Sequence, residues 1–281
     1  MIKATTKTTD LSGDNKTGND HFVRIESKFL ASNHYLKGIE HLLQIHLKPV
    51  DGTKEFGITK VETLYFDTPD LRFFTSSLKK LPHRIKLRIR KYLSKDANSF
   101  VGFLELKGKE NGISKKSRFR IGQEEELLLL SGKTMPLSDS LTQQNRHLNL
   151  AELESRLQTV NDIIISSKPE LFVKINYDRK AYEGQGIRVT IDNNVSYRFY
   201  DEHSEEFEQQ AGLVIAQDCW RLGTMMCASF SRRDDIIVEV KHTDAIPEWL
   251  QNHLTAVAKI SDATFSKYVW GMAHTILKGR V

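Results

Sequence analysis

Apolar and polar residues alternate along several segments of the chain, which is the pattern of a β-strand with one buried face. The predicted strands are 22–31, 60–68, 83–92, 99–109, 113–121, 170–182, 187–200 and 235–242. Apolar residues at three- and four-residue spacing predict helices at 33–47 and 148–165. Acidic residues at the start and Gly132 as a possible stop predict a helix at 124–132, and two more helices are predicted at 247–259 and 264–278. Clustered strands with intervening helices predict an α+β fold. Residues 1–21 lack apolar periodicity, so we expect a disordered tail followed by one domain at 22–281.

Charged residues occupy every second position in six of the predicted strands, and residues two apart lie on the same strand face. These residues are Glu26 and Lys28; Lys86, Arg88 and Arg90; Glu105 and Lys107; Lys116, Arg118 and Arg120; Arg188 and Asp192, with the polar Thr190 between them; and Glu239 and Lys241. The opposite faces are apolar, as at Leu87 and Ile89. One interpretation is a sheet closed into a barrel, with charged faces inside and helices covering the outside. The alternative is a set of solvent-exposed strand faces carrying cross-strand ion pairs.

Cations outnumber carboxylates in this set, so a closed lumen would hold an unbalanced positive charge. An extended polyanion such as polyphosphate or a nucleoside triphosphate would offset that charge, with arginine forks and lysine charges as its ligands. The remaining carboxylates suit a hard cation such as Mg²⁺ or Mn²⁺. The whole chain carries 41 Lys and Arg against 36 Asp and Glu, a net charge of +5. This excess favours an anionic partner without identifying it.

Nine short motifs carry a family resemblance, and they occur in a fixed order. They are "RIESKF", "YFDTPD", "KLRIRKY", "FLELKGK", "KKSRF", "NYDRKAY", "IRVTID", "IVEVK" and "FSKYVWG". Together they resemble the VTC (vacuolar transporter chaperone) polyphosphate polymerase domain of the triphosphate tunnel metalloenzyme superfamily. The resemblance implies an antiparallel eight-stranded β-barrel tunnel with helices packed on the outside. It also implies an ATP-binding phosphotransferase that passes the γ-phosphate of ATP to a growing inorganic polyphosphate chain and releases ADP.

The resemblance assigns roles to the matching positions of this sequence. Phosphate or ATP contacts fall on Lys28, Arg88, Arg90, Lys107, Lys116, Arg179, Arg188, Lys241 and Lys267. Within this set, Lys267, Arg88, Arg90 and Lys28 are the expected catalytic residues, and Lys115 is the alternative to Lys116. The divalent metal, Mn²⁺ or Mg²⁺, is assigned to Glu239, with Glu26 and Glu105 as candidates for completing its ligand shell.

One departure separates this sequence from hydrolytic relatives, which begin with a Glu-x-Glu-x-Lys motif. Arg24 stands at the first glutamate position, before Glu26 and Lys28, and this substitution fits the polymerase branch. Two other functions use the same face: hydrolysis of tripolyphosphate or nucleoside triphosphates, and non-catalytic polyphosphate binding.

The composition of the chain predicts its cellular compartment and the kinds of partner it has. Its two cysteines form no disulfide framework, and no N-terminal apolar stretch indicates secretion, so we expect a cytoplasmic protein. No apolar run approaches the length of a transmembrane segment, and whether a membrane partner accepts the product stays open. The aromatic residues form no recognisable stacking motif, so nucleic acid is not an expected partner.

Overall fold

The computed structural model describes residues 25–50, 58–94, 99–110, 113–199, 235–260 and 266–278. Its strands are β1 Ile25–Ser32, β2 Lys48–Pro49, β3 Thr59–Asp67, β4 Arg84–Leu93, β5 Phe100–Glu110, β6 Ile113–Ile121, β7 Glu170–Gly184, β8 Ile187–Phe199, β9 Asp235–His242 and β10 Ala258–Ile260. Its α-helices are α1 Leu36–His46, α2 Arg72–Leu78, α3 Gln123–Leu130, α4 Asp139–Gln144, α5 Leu150–Ser167, α6 Glu248–Val257 and α7 Lys267–Lys278, and a 3₁₀ turn, Asn33–Tyr35, precedes α1. The predicted α+β class is confirmed.

The strands form one antiparallel ten-stranded sheet. Its hydrogen-bonded order is β10-β1-β9-β8-β7-β3-β4-β5-β6, with β2 paired to β7 off this path. We predicted eight strands closed into a barrel, but the sheet has ten, and within the described residues the order ends at β10 and β6 without closing. The two additional strands, β2 and β10, contain two and three residues, which is too short for alternation to reveal them.

Contacts between residues divide the described chain into two compact units. The first unit holds residues 25–60, 177–196 and 235–260, and the second holds residues 61–176, 197–199 and 266–278. The β7 strand contributes residues 170–176 to the second unit and residues 177–184 to the first.

The core of the first unit lies on one face of β1, β8 and β9. Phe29, Val189 and Val238 come from these strands, and Leu43 of α1 and Leu250 of α6 pack in the same buried cluster. Apolar residues at every second strand position therefore bury one face, while the charged residues between them lie on the other. Helices cover the apolar face, as predicted.

The second unit follows the same rule on β3 to β6. Leu64, Leu87, Leu104 and Phe119 alternate with polar residues and are buried. Helices α3, α4 and α5 contact β6, and α2 contacts β4 and α7. Helix α3 ends at Leu130, and Gly132 follows two residues later with a φ of +67°, in the left-handed region that glycine adopts without strain.

Candidate functional site

A charged face in the second unit follows directly from the register of β4, β5 and β6. Lys86 lies opposite Lys107, and Lys107 lies opposite Lys116, so three lysines form one row across the strands. The face carries nine cations: Arg84, Lys86, Arg88, Arg90, Lys107, Lys109, Lys116, Arg118 and Arg120. Opposed residues point to the same side of a sheet, so all of these side chains leave from one face.

On β4, β5 and β6, Glu105 is the one carboxylate among the described residues of this face, and it is nearly fully buried. Arg88 Nε donates to Glu105 Oε2 at 2.6 Å, and Arg118 Nε lies 3.3 Å from Oε1. Burial alone would raise the pKa of Glu105, but the charges of Arg88, Arg90, Arg118 and Lys107 hold it well below its usual value. Glu105 is therefore an ionised counter-charge that fixes Arg88 by a hydrogen bond and attracts Arg118 as an ion pair.

A chain of contacts joins this face to the start of α7. Arg88 Nη1 donates to Tyr65 Oη at 2.7 Å, and the Tyr65 ring stacks on Tyr268 with centroids 5.0 Å apart. The Tyr268 hydroxyl donates to Asp67 Oδ2. Tyr268 follows Lys267, so this chain fixes the part of α7 that carries the predicted catalytic lysine.

Asp67 is fully buried, and its carboxylate accepts several hydrogen bonds. Its Oδ1 accepts from the backbone N–H of Thr68 and Phe73, and its Oδ2 accepts from that of Phe74, each at 2.8 Å. The carboxylate thus satisfies backbone donors at the start of α2. Burial is the largest influence on its pKa and raises it to about 6, against the lowering effect of its hydrogen bonds.

The first unit carries a second charged face, on β1, β9 and β8. Lys28 lies opposite Glu239, which lies opposite Thr190, and these three form one row. The next row holds Glu26, Lys241 and Arg188. Ion pairs also run along the strands, with Lys28 Nζ 2.7 Å from Glu26 Oε1 and Lys241 Nζ 3.6 Å from Glu239 Oε1.

Arg179 and Asp192 form a forked pair in the same unit. Arg179 Nε and Nη2 donate to the two oxygens of Asp192 at 2.6 and 2.7 Å. The Asp192 side chain is fully buried and that of Arg179 is 16% exposed. This geometry holds the guanidinium plane in a fixed orientation.

The chain's own carboxylates can supply part of a divalent-metal shell. Glu239 and Glu26 stand in adjacent rows of the first unit, and both are partly shielded from solvent. Within the described ranges, no group of three or more His, Cys, Asp or Glu side chains converges on a metal position. One or two carboxylates completed by phosphate oxygens and water match the way proteins hold Mg²⁺, so these residues fit the group.

The structure brings the predicted residues together within each unit. The second unit gathers Arg88, Arg90, Glu105, Lys107 and Lys116 on one face, with Lys267 at the first position of α7. The first unit gathers Glu26, Lys28, Arg188, Glu239 and Lys241 on another, with Arg179 bound to Asp192. Lys115 lies opposite Gly108, one position out of step with Lys116, and pairs with Glu110 at 3.1 Å. Arg24, Cys219 and Cys227 lie outside the described residues.

Tyr65, Asp67 and Tyr268 form a connected group that was not predicted from the sequence. Tyr268 and Asp67 are 201 residues apart in sequence, and aromatic residues in strands and helices are ordinarily assigned to the core. The alternation along β3 could have predicted part of this group, because Tyr65 and Asp67 lie on the same face of the strand and Tyr65 lies opposite Arg88.

The helices described in the structure include none with the length and apolar character required to traverse a lipid bilayer.

Solved structures of low sequence identity resemble parts of this chain. A putative adenylate cyclase from Bacillus halodurans is 16% identical with a TM-score of 0.41, and the match covers 83% of each chain. A protein from Pyrococcus horikoshii OT3 is 11% identical with a TM-score of 0.40, covering 89% of this chain and 99% of that one.

Sequence comparison gives a more direct relationship. The chain is 24% identical over 297 residues to the vacuolar transporter chaperone complex subunit 4 of Schizosaccharomyces pombe. The match covers 98% of this chain and 41% of that relative, so the chain spans less than half of the relative's length. The VTC domain model matches residues 23–276, which is nearly the whole sequence. The chain therefore belongs to the VTC domain family.

Proposed function

We propose that this chain is a metal-dependent polyphosphate polymerase that transfers the γ-phosphate of ATP to a growing inorganic polyphosphate chain. The observation that carries the proposal is the face of the second unit, where nine cations share one side of β4, β5 and β6 with Glu105. Membership of the VTC family supports a polyphosphate-related function.

Repulsion among the closely spaced cations on the charged face of the second unit favours binding of a polyanion. Neighbouring strands lie about 4.8 Å apart, so Lys86, Lys107 and Lys116 start from closely spaced positions. Two unit charges about 5 Å apart repel by roughly 3 kcal/mol at an effective dielectric constant near 20. Phosphates bound along the row would replace this repulsion with attraction.

The proposed reaction requires positioning more than covalent participation by the protein. An oxygen of the terminal phosphate of the acceptor chain bonds to the γ-phosphorus of ATP. The bond from that phosphorus to the β,γ-bridging oxygen breaks, and ADP leaves with the electron pair. The attacking oxygen is already ionised at neutral pH, so no general base has to remove a proton.

The residues have separate tasks in this reaction. Arg88 and Arg90 would hold phosphate oxygens, and the Glu105 carboxylate keeps Arg88 in one orientation. Lys28, Arg179, Arg188 and Lys241 would contact phosphates from the first unit, and Lys267 would stand near the transferred group. Glu239 and Glu26 would hold the divalent cation. When bound, Mn²⁺ or Mg²⁺ would neutralise negative charge on the phosphate oxygens.

Glu105 is better suited to orienting arginines than to holding metal. Its oxygens already face Arg88 and Arg118, and its side chain is only 2% exposed. A cation bound there would have to displace a guanidinium from a nearly dry position. We therefore assign the metal to Glu239 and Glu26 and keep Glu105 as the counter-charge.

Product analysis tests the proposal. The purified protein is incubated with ATP and Mn²⁺, and the phosphate products are separated by length on a gel. We expect a ladder of long chains that requires metal, and Glu239→Gln should abolish it. Free phosphate without longer chains would indicate a triphosphate hydrolase instead. Tight polyphosphate binding without turnover of ATP would indicate a binding module.

A further inference from the structure

A buried hydroxyl stands beside the proposed metal glutamate. Thr190 lies on β8 directly opposite Glu239, on the charged face of the first unit. Its side chain is buried, and among the described residues its Oγ1 has no hydrogen-bond partner. Polar atoms in this situation are rare in folded proteins, and each requires an explanation.

The residues on either side of Thr190 indicate that the fold does not require a hydroxyl at this position. Val189 and Ile191 flank Thr190 on the strand, and both are buried on the apolar face. Valine has the shape of threonine and suits a strand equally well, so the fold alone does not require a hydroxyl at position 190. A buried hydroxyl without a partner weakens the fold relative to an apolar group of the same shape. The threonine is therefore better explained by a ligand than by packing.

The surroundings of Thr190 indicate which ligand. Glu239 contributes a carboxylate from the opposite strand position, and Lys28 completes the row. Asp192 is two residues further along β8, but both of its oxygens accept from Arg179. The Thr190 hydroxyl and the Glu239 carboxylate are thus two oxygen donors at directly opposed positions of neighbouring strands. Mg²⁺ and Mn²⁺ bind to oxygen donors of this kind.

We propose that Thr190 Oγ1 is a ligand of the divalent cation next to Glu239. This inference rests on the proposed function, because it adds a neutral oxygen to the metal shell of that same site. It explains how a site with few carboxylates holds a cation firmly enough to order the phosphates around it. The coordinating atom is a hydroxyl, so serine should replace threonine and valine should not.

Binding of Mn²⁺ tests the inference without reference to turnover. The loss of the free Mn²⁺ electron paramagnetic resonance signal is measured as protein is added in the presence of tripolyphosphate. We expect Thr190→Val to weaken Mn²⁺ binding about tenfold or more and Thr190→Ser to stay near the wild-type value. Tripolyphosphate binding without metal should be the same in all three proteins.

Metal-free thermal unfolding provides the second measurement. Thr190→Val should unfold at the wild-type temperature or above it, since the hydroxyl lacks a partner in the protein. Thr68→Val is the matched control, because the buried Thr68 Oγ1 accepts from the Arg72 N–H at 2.9 Å. That variant should unfold at a lower temperature.

Three results would overturn the inference. The first is unchanged Mn²⁺ affinity in Thr190→Val. The second is an equal loss of metal-free tripolyphosphate binding, which would make the hydroxyl a phosphate donor. The third is the absence of Mn²⁺ binding by the wild type. Mn²⁺ binding that depends on Thr190, without any ADP formed from ATP, would instead support this site and contradict only the polymerase function.

Discussion

Two nitrogens of Arg88 contact the same carboxylate oxygen of Glu105, Nε at 2.6 Å and Nη2 at 2.5 Å. Both side chains are nearly removed from solvent. The pair fixes the arginine in the middle of a cationic face, with Arg118 on the other oxygen of the glutamate. An ordered cation at this position is what binding of a phosphate chain requires.

Glu105→Gln should destabilise the protein by about 3 to 5 kcal/mol, because it removes one partner of a buried ion pair and leaves Arg88 without its counter-charge. The measurement is the free energy of unfolding in urea at pH 7. Glu110→Gln is the control, since Glu110 forms an exposed pair with Lys115 and its loss should leave the unfolding midpoint unchanged.

The same substitution has a defined pH dependence. The folded-state pKa of Glu105 lies below its unfolded value, so its contribution to stability is present above about pH 4.5 and declines as pH falls through the folded pKa. The difference between wild type and Glu105→Gln should therefore shrink in acid. A difference that stays constant from pH 7 to pH 3 would contradict the ionised pair.

Asp67 should give the opposite dependence on pH. Its pKa rises on folding from 3.8 to about 6, so the folded protein binds more protons than the unfolded chain between these values. Its contribution should fall by about 3 kcal/mol as pH rises from about 4 to about 6. We expect unfolding measurements to show this slope in the wild type and not in Asp67→Asn.

Asp70→Asn is the matched control for Asp67, because the Asp70 carboxylate is exposed beside Arg72. It should retain the slope between pH 4 and pH 6. Asp67→Asn should also be less stable at pH 7, since an amide cannot accept from donors on both of its terminal atoms. Equal pH slopes in the two variants would show that Asp67 does not titrate in this range.

Strand alternation made most of the second unit predictable. Leu87 and Ile89 alternate with Arg88 and Arg90, which defines one apolar and one charged face before any partner strand is known. The predicted ends of β6 and β9 agree with the structure, which has these strands at Ile113–Ile121 and Asp235–His242.

Register and long-range contacts were not predictable in the same way. The row of Lys86, Lys107 and Lys116 depends on how three strands pair, and a shift by one residue would have placed Lys115 on the charged face. Helix α4 has only six residues, too few for an apolar period to appear. The lack of a hydrogen-bond partner for the buried Thr190 hydroxyl likewise cannot be predicted from the sequence, because it depends on residues that are distant along the chain.

Lys116→Ala should weaken polyphosphate binding about tenfold, because a lysine–phosphate contact contributes on the order of 1.5 kcal/mol. Lys115→Ala should not, since Lys115 pairs with Glu110 on the other side of the strand. Titration with labelled polyphosphate at two salt concentrations measures this, and the loss in Lys116→Ala should be smaller at high salt. Equal losses in the two variants would contradict the assigned face.

Arg179→Ala should destabilise the protein by about 3 to 5 kcal/mol, because it leaves the buried Asp192 carboxylate without its partner. The double variant Arg179→Ala with Asp192→Asn should regain most of that stability in urea unfolding. If Arg179 also contacts phosphate, the double variant should still bind tripolyphosphate weakly. Full recovery of binding would assign Arg179 a structural role alone.

The most direct test of the polymerase function is the ratio of ADP to orthophosphate released when the protein acts on ATP with Mn²⁺ and a polyphosphate acceptor. We expect ADP to accumulate with little orthophosphate while the acceptor chains lengthen. Glu239→Gln should form no metal-dependent ADP although its unfolding temperature stays near that of the wild type. Equal amounts of ADP and orthophosphate, with chains of unchanged length, would contradict polymerase activity and identify water as the acceptor.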